Sequence, residues 1–464
     1  MPDPAAVADL SNQLAAAGVT TCLATFVDIH GVPKAKAVPL ASFEKMCAGS
    51  ELFTVGAMEG MGLVGPEKDE CAVIPDLGSL IILPWDRRIA WFSGDLYYHG
   101  EPYPNCSRVI LKRVLAQAAD QNLGMNLGVE TEFYMLRQEE DRLVQPPRER
   151  HQGLCPAYDV HQTMQSFDAL EPIAKAMDAL DWGLYSFDQE GGNGQYEFDF
   201  AYADALTMAD RVVFFRFMAR TLAQRSGLTA TFMAKPFAAD FRSGAHFNMS
   251  LYDLTTGDNL FAGEAGELAG RYAGRAPDVA YHFVAGLLAH ASALTAVTCP
   301  THNSYKGLLA QGQMPDSSWA PVLRAYGNNN RSAMLRLPMN RPCVENRAPD
   351  MSVNPYLGAA FSLVAGMEGI AAASDPGPPL NDNLYIRLTA SSALPELPLE
   401  GGGHVARLPR TLLDALQSFE RDPLSATVFG QEMKDIYIAT KMIEWEREFY
   451  DVSQEEFARR LRYV

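Results

Sequence analysis

Gly128-Val129-Glu130-Thr131-Glu132-Phe133 is the stretch on which the reading of this chain turns. Its two carboxylates lie two residues apart among apolar neighbours, after Asn126-Leu127 and before Tyr134-Met135-Leu136. Such alternation predicts a strand, and a period of two sends Glu130 and Glu132 out of one face. Like charges side by side repel, so a sheet tolerates them where water solvates both or a cation is shared. Mg²⁺ and Mn²⁺ prefer carboxylate oxygens, and beside a phosphate such ions assist phosphoryl transfer. Taken alone, the pair is explained more simply by a solvated strand face.

The 464 residues exceed one typical domain, and 48% apolar with 20% charged content is ordinary for a globular protein. A net charge of −18 argues against nucleic acid or an anionic membrane as partner. It leaves a nucleotide open, because local arginines and metal ions reverse the field inside a site. Cys22, Cys47, Cys71, Cys106, Cys155, Cys299 and Cys343 are odd in number and scattered, which predicts reduced structural thiols. The N-terminus has no basic, then apolar, leader pattern. Val279–Thr298, the most apolar run, carries His282 and His290 and predicts a buried helix. These features together predict a soluble cytoplasmic protein.

Ala5–Ala17 has helical spacing ending at Gly18, and Thr20–Asp28, a turn at His30–Pro33 and Lys34–Val38 predict a hairpin. A short helix over Ala41–Cys47, a loop over Glu51–Glu67, two strands within Asp69–Leu83 and a hairpin of Arg88–Phe92 with Asp95–His99 complete residues 1–103. Pro102-Tyr103-Pro104-Asn105 is a joint, and residues 104–464 form the remainder. Ser107 is the expected N-cap of a helix over Val109–Ala119. Loops are expected at Arg142–Gly153, Asp375–Asn383 and Leu394–Gly403. A solvated, charged helix pair is expected over Asp422–Val464.

Three further segments carry chemistry. Ser186–Phe200 sets two strands around a glycine turn, so Glu190 and Glu197 can return to one place, although a turn with two polar exits explains the pattern as well. Phe241–Leu251 puts His246 and Asn248 on alternate positions of a strand. Arg331, Arg336, Glu345 and Arg347 gather in one segment, and guanidinium forks suit phosphate or carboxylate oxygens.

Together these segments resemble the glutamine synthetase family over nearly the whole chain. The matches run in the family's order: Val27–Gly31, Glu130-Thr131-Glu132, Glu190 with Gly194–Glu197, Ser243–His246, Asn303–Lys306, Asn330–Ser332, Asn354–Leu357 and Asp382–Tyr385. The resemblance implies an α+β fold, with a small N-terminal β-grasp-like domain and a C-terminal catalytic domain built on a curved antiparallel sheet. It implies ATP as co-substrate and two or more Mg²⁺ or Mn²⁺ ions. Glu132, Glu190 and Glu197 match the ligands of one ion, and Glu130, His246 and Glu345 those of the other. Arg331 and Arg336 match arginines that hold the phosphates, Arg347 one that contacts the activated substrate, and Asn248 and Ser250 positions near the nucleotide. Glu132, Gly244 and His246 also fall where the family binds its amino acid. Stacked rings, usually of six subunits each with sites between neighbours, are implied as well.

Three departures bear on substrate. Ammonia-using members carry a glutamate before the Ala-Pro that is here Ala320-Pro321; this chain has Trp319. They also carry an aspartate in a loop that matches Phe53–Glu59, where only Glu59 offers a substitute charge. Gly307 stands where the family has a substrate-binding arginine, while Arg242 stands where it has a small residue. Either Arg242 has taken over the carboxylate, which the need for a bidentate partner favours, or the acid is not glutamate. The pattern lies nearest the type III glutamine synthetase-like group, which includes γ-glutamylmethylamide synthetases. It implies an ATP-dependent ligase joining glutamate to a small alkylamine. The alternatives are a glutamate–ammonia ligase and a catalytically silent scaffold or sensor, which the retained set of six ligand positions disfavours.

Overall fold

A computed structural model describes residues 2–140, 142–145, 157–308, 319–385, 396–398 and 404–461. Pro4–Ala16 is a helix capped by the Asp3 carboxylate, and Gly18 follows at φ 85°. Thr21–Val27 and Pro33–Pro39 form the expected hairpin, with Val27 opposite Pro33. The second expected hairpin does not exist: Ile89–Tyr98 is one continuous strand. Gly94 lies inside it because a Cβ there would stand 2.8 Å from Val73 Cγ2 and 3.1 Å from the Ile74 carbonyl; the glycine serves close strand approach, not a turn. This strand pairs in parallel with Thr21–Val27 and antiparallel with Cys71–Pro75, the core of a seven-stranded β-grasp-like sheet. The Glu51–Glu67 segment, expected as loop, holds the short strand Leu52–Phe53.

Two sheets carry the rest. Six strands run in the order Ala203–Asp204, Leu123–Val129, Phe247–Asp253, Val344–Asn346, Leu335–Leu337, Tyr326–Asn328. A second sheet orders Arg142–Val144, Thr131–Glu139, Gln195–Phe200 and Leu184–Gln189, with Leu228–Thr231 also paired to Thr131–Glu139. The chain changes sheets at Glu130, so the expected single strand is two. The alternation survives because Glu130 and Glu132 N–H donate to the carbonyls of His246 and Gly244, at 3.3 Å each.

Helices Ala205–Arg225, Asp278–Ala289 and Pro355–Ala371 supply much of the main core. The apolar run near Val279–Thr298 is two helices bent by 77°, and no single described helix is long and apolar enough to cross a membrane. Ser107 is not a cap: the helix Ser107–Ala119 begins at it, and its hydroxyl accepts instead from Asn354 Nδ2 at 2.9 Å. The C-terminus forms helices Pro423–Phe429, Gln431–Tyr450 and Gln454–Arg460, not a solvated pair. Met433 and Tyr437 are buried, and the Tyr437 hydroxyl donates to the Ala296 carbonyl at 2.8 Å. Of the other expected loops, Arg142–Gly153 and Leu394–Gly403 fall largely outside the described residues, but Glu396–Pro398 pairs with His404–Ala406.

Arg108 ties the N-terminal sheet to the catalytic half. Its buried guanidinium reaches Asp95 at 2.9 Å, Asp76 at 2.8 Å and Asp210 at 3.0 Å. Removing one partner of a buried ion network strands the others. Arg108→Met is therefore expected to lower the unfolding free energy by about 3–5 kcal/mol, read from the denaturant midpoint.

Candidate functional site

One row of residues crosses the six-stranded sheet: Gly128 faces Asn248, Asn248 faces Glu345, Glu345 faces Arg336 and Arg336 faces Gly327. Pairing thus brings Glu345, distant in sequence, beside Glu130. Glu130 Oε2 lies 2.7 Å from His246 Nδ1, and ligand atoms of Glu130, His246 and Glu345 all lie within 4.8 Å of one another. The second sheet supplies the other cluster. Its hairpin closes through the Glu190 N–H to the Gln195 carbonyl at 2.9 Å, with Gly194 at φ 76°. Glu197 faces Glu132 across the ladder, and Glu132, Glu190 and Glu197 also lie within 4.8 Å. His246 Nε2 stands 3.8 Å from Glu132, linking the clusters.

The protein balances the two clusters differently. Around the first, Arg336 and Arg347 donate to opposite oxygens of the fully buried Glu345, and Arg341 reaches Glu130 at 3.0 Å. Burial works against the Glu130 charge, but the His246 hydrogen bond and the charges of His246, Arg341 and Arg347 hold its carboxyl well below the usual range. Around Glu132 the donors are neutral: Gln195 Nε2 at 3.0 Å and the Gly244 N–H at 2.7 Å. Burial, then the Glu190 charge, pushes Glu132 up to about 7. Glu197 is also pushed well above the ordinary range, by burial and then by Glu130, Glu132 and Glu190. A set of carboxylate oxygens short of positive charge fits hard divalent cations. Gly244 leaves the required room, since a Cβ there would stand 2.7 Å from Glu132 Oε1 and 2.9 Å from His246 Nε2.

Beside Glu130 opens a cavity of about 210 Å³ lined by Asn248 and Ser250, with Tyr185, Tyr202, Arg341 and Cys343. Asn248 donates to Glu130 at 3.1 Å, and Ser250 Oγ accepts from Asn259 at 3.2 Å. Arg336, expected at the phosphates, is buried between Glu345 and Asn329, whose side-chain oxygen it holds through Nε and Nη2. Arg341, passed over in the sequence, faces the cavity instead; the arginine-rich segment that contains it was the available signal. Gln195 was likewise overlooked, though it lies inside the matched Gly194–Glu197 stretch. Arg331 is exposed, and its carbonyl accepts from Arg347 Nε at 3.0 Å. Arg242 Nη2 donates to the Ala348 carbonyl at 2.6 Å and to that of Pro349, while its buried Nη1 has no partner. Trp319 is 50% exposed. Glu59 stands apart from these clusters, 3.5 Å from His30 Nε2.

Two sheets that meet at Glu130 thus present two adjacent acidic clusters, an arginine set and a neighbouring cavity, an arrangement suited to holding divalent cations beside an anionic ligand. Residues 104–460 match the glutamine synthetase catalytic domain. The chain is 34% identical over 437 residues to a glutamine synthetase of Rhizobium meliloti, covering 94% of this chain and 95% of that one. It is 35% identical over 424 residues to a glutamate–methylamine ligase of Methyloversatilis universalis, covering 91% and 92%. A solved GmaS–ADP complex superposes with a TM-score of 0.87 at 36% identity, covering 98% of this chain and 99% of that one. This chain belongs to the glutamine synthetase family and is an ATP-dependent ligase that forms C–N bonds.

The clusters set a pH signature. Without cations, folded Glu132 keeps its proton to about pH 7 against an ordinary value of 4.5. The folded state then binds more protons than the unfolded one between those values, so stability falls as pH rises through that window. Cation binding needs the ionised form. Added Mg²⁺ is expected to raise the melting temperature more at about pH 8 than at about pH 5.5, as thermal denaturation in chelated and Mg²⁺-loaded buffers would read.

Proposed function

We propose that the protein joins the γ-carboxylate of glutamate to a small alkylamine, methylamine foremost, with ATP as the energy source. A carboxylate is a poor acyl donor because its oxygen leaves badly. Transfer of the γ-phosphoryl group of ATP to that oxygen, releasing ADP, gives an acyl phosphate. The amine nitrogen then attacks the acyl carbon, phosphate leaves, and a proton is lost to a base or to water.

Glu130, His246 and Glu345, with Glu132, Glu190 and Glu197, are the residues that would hold divalent cations. Such ions, when bound, draw charge from the phosphoryl group in flight. Arg341, on the cavity wall, suits the nucleotide phosphates together with exposed Arg331, while Arg336 stiffens Glu345. Tyr185 and Tyr202 offer exposed rings beside Asn248 and Ser250 for the nucleotide base. Arg347 suits the activated acyl group. For the acid, a Cβ on Gly307 would stand 3.0 Å from Arg242 Cβ and 3.1 Å from its Cδ, so the small residue makes room for the arginine stem. The unpartnered Nη1 of Arg242 is a buried charged donor suited to a substrate carboxylate.

The observation that carries the choice of amine is Trp319, an indole where ammonia-using relatives present a carboxylate. The Tyr385 hydroxyl donates to the Ala320 carbonyl at 3.0 Å, and Tyr385 feels the charges of Arg347 and Arg242. Trp319 precedes that anchored Ala320 in the chain and is half exposed, so its indole is available to a substrate. An apolar wall there favours a methyl group over the bare ammonium ion. The names of the methylamine ligase relative and the GmaS structures agree with this reading. The same reading carries assembly into two stacked six-membered rings in which Glu59 reaches a neighbouring site. Exposed Phe449, Tyr450, Val452, Phe457 and Leu461 support an assembled form.

Phosphate-release kinetics test the reaction. kcat/KM for methylammonium is expected to exceed that for ammonium by about tenfold or more, and Trp319→Glu to shift the ratio toward ammonium. A marked preference for ammonium in the natural sequence would establish a glutamate–ammonia ligase instead. Arg242→Gln should raise the glutamate KM by roughly 10–100-fold with ATP affinity unchanged, as substrate titrations would show.

A further inference from the structure

Away from the catalytic cavity, and sharing no lining residue with it, lies a cleft of about 450 Å³. The turn at His30–Pro33, the helix Ala205–Arg225, the segment Thr231–Met233 and the helix Gln431–Tyr450 contribute its walls. Three cationic side chains line it, Arg216, Arg220 and Lys441, with His30, which burial and Lys441 hold below its ordinary range, and no Asp or Glu among the described residues does. That is an unusual concentration of positive charge in a chain of net charge −18.

Lys441 and His30 have acidic neighbours outside the cleft lining. Lys441 Nζ lies 3.0 Å from Glu444, and His30 Nε2 lies 3.5 Å from Glu59. The guanidiniums have no ion-pair partner among the described residues. Arg216 is 6% exposed; its Nη2 donates to the Val353 carbonyl at 2.7 Å and its Nε has no partner. Arg220, one turn along the helix, lies over the Phe232 ring at 5.3 Å and is otherwise open to solvent. Burial, then repulsion from Arg220, pulls Arg216 down to about 10, with the Asp350 charge opposing. Two like charges at i and i+4 repel, and an unpaired buried charged donor is costly. A ligand with paired anionic oxygens relieves both, since the planar fork binds two oxygens at once. The volume suits a small molecule.

We propose that this cleft binds a small organic or inorganic dianion, a dicarboxylate or a phosphate, between Arg216 and Arg220, at a site separate from the catalytic cavity. Succinate, glutarate and inorganic phosphate are the probes, titrated calorimetrically into the full-length protein at constant ionic strength against chloride. Binding of at least one probe is expected, weakened roughly tenfold or more in Arg220→Glu, with KM for glutamate and ATP unchanged. Exposed Arg220 is the variant of choice because Arg216→Met removes a buried contact to Val353 and endangers the fold. A tighter dicarboxylate or a tighter phosphate identifies the preferred headgroup, and either supports the site. The proposal fails if no probe binds, if Arg220→Glu binds as tightly as the natural sequence, or if the substrate KM values rise in step with the loss of anion affinity.

Discussion

Five carboxylates converge on one hollow, and the rest of the molecule is arranged so that they can stay there. Mutual repulsion and burial both oppose the arrangement, and each alone is severe enough to expel a side chain or protonate it. The protein answers half of the problem itself. Glu345, wholly buried, is clasped by Arg336 and Arg347, and Glu130 by His246, Asn248 and Arg341. Glu132 receives only an amide and a backbone N–H, and it and Glu197 hold their protons well above the ordinary range. The asymmetry leaves one cluster partly neutralised by the protein's own cationic groups and the other with the stronger demand for added positive charge.

Much of the surrounding architecture follows from that demand. Gly244 exists to keep a Cβ out from between Glu132 and His246. Gln195 sits where it can donate to both Glu132 and the Arg242 carbonyl, tying the acid cluster to the segment 242–246 that leads into the strand Phe247–Asp253. The strand expected over Phe241–Leu251 thus begins only at Phe247. The Pro349–Met351 segment then locks Ser243–Ala245 from the other side through two backbone hydrogen bonds, Ala245 to Pro349 and Met351 to Ser243. Precision at the carboxylates therefore rests on backbone pairing, the most rigid device available to a fold.

The legible parts of the chain were those with strong local period or ordered motifs. The first hairpin, the glycine turn between Glu190 and Glu197, and the glutamates themselves could be read because period two and turn chemistry are local properties. The failures were equally physical. Gly94 looked like a turn and was a site of close strand approach; Ser107 looked like a cap, but its hydroxyl was claimed by Asn354, more than two hundred residues away in the chain. The apolar run that looked like one helix bends by 77°, where His290 is held by Asp422 at 2.8 Å. A distant partner overrode the local preference in the Ser107 case.

Residue types and their spacing were enough to single out the candidate side chains, because carboxylates two apart, a glycine turn and an arginine-rich segment depend only on neighbours along the chain, and the ordered family motifs gave those candidates their expected roles. What pairing alone decided was who stands next to whom. Glu345 reaches Glu130 only across the Phe247–Asp253 strand, Arg336 turns inward to Glu345 while Arg341 takes the cavity wall, and Gly307 yields its space to Arg242. Glu345 and Glu130, and Gly307 and Arg242, are tens to hundreds of positions apart, and even Arg336 and Glu345, nine apart, meet only because their strands pair; a local pattern holds no information about such contacts.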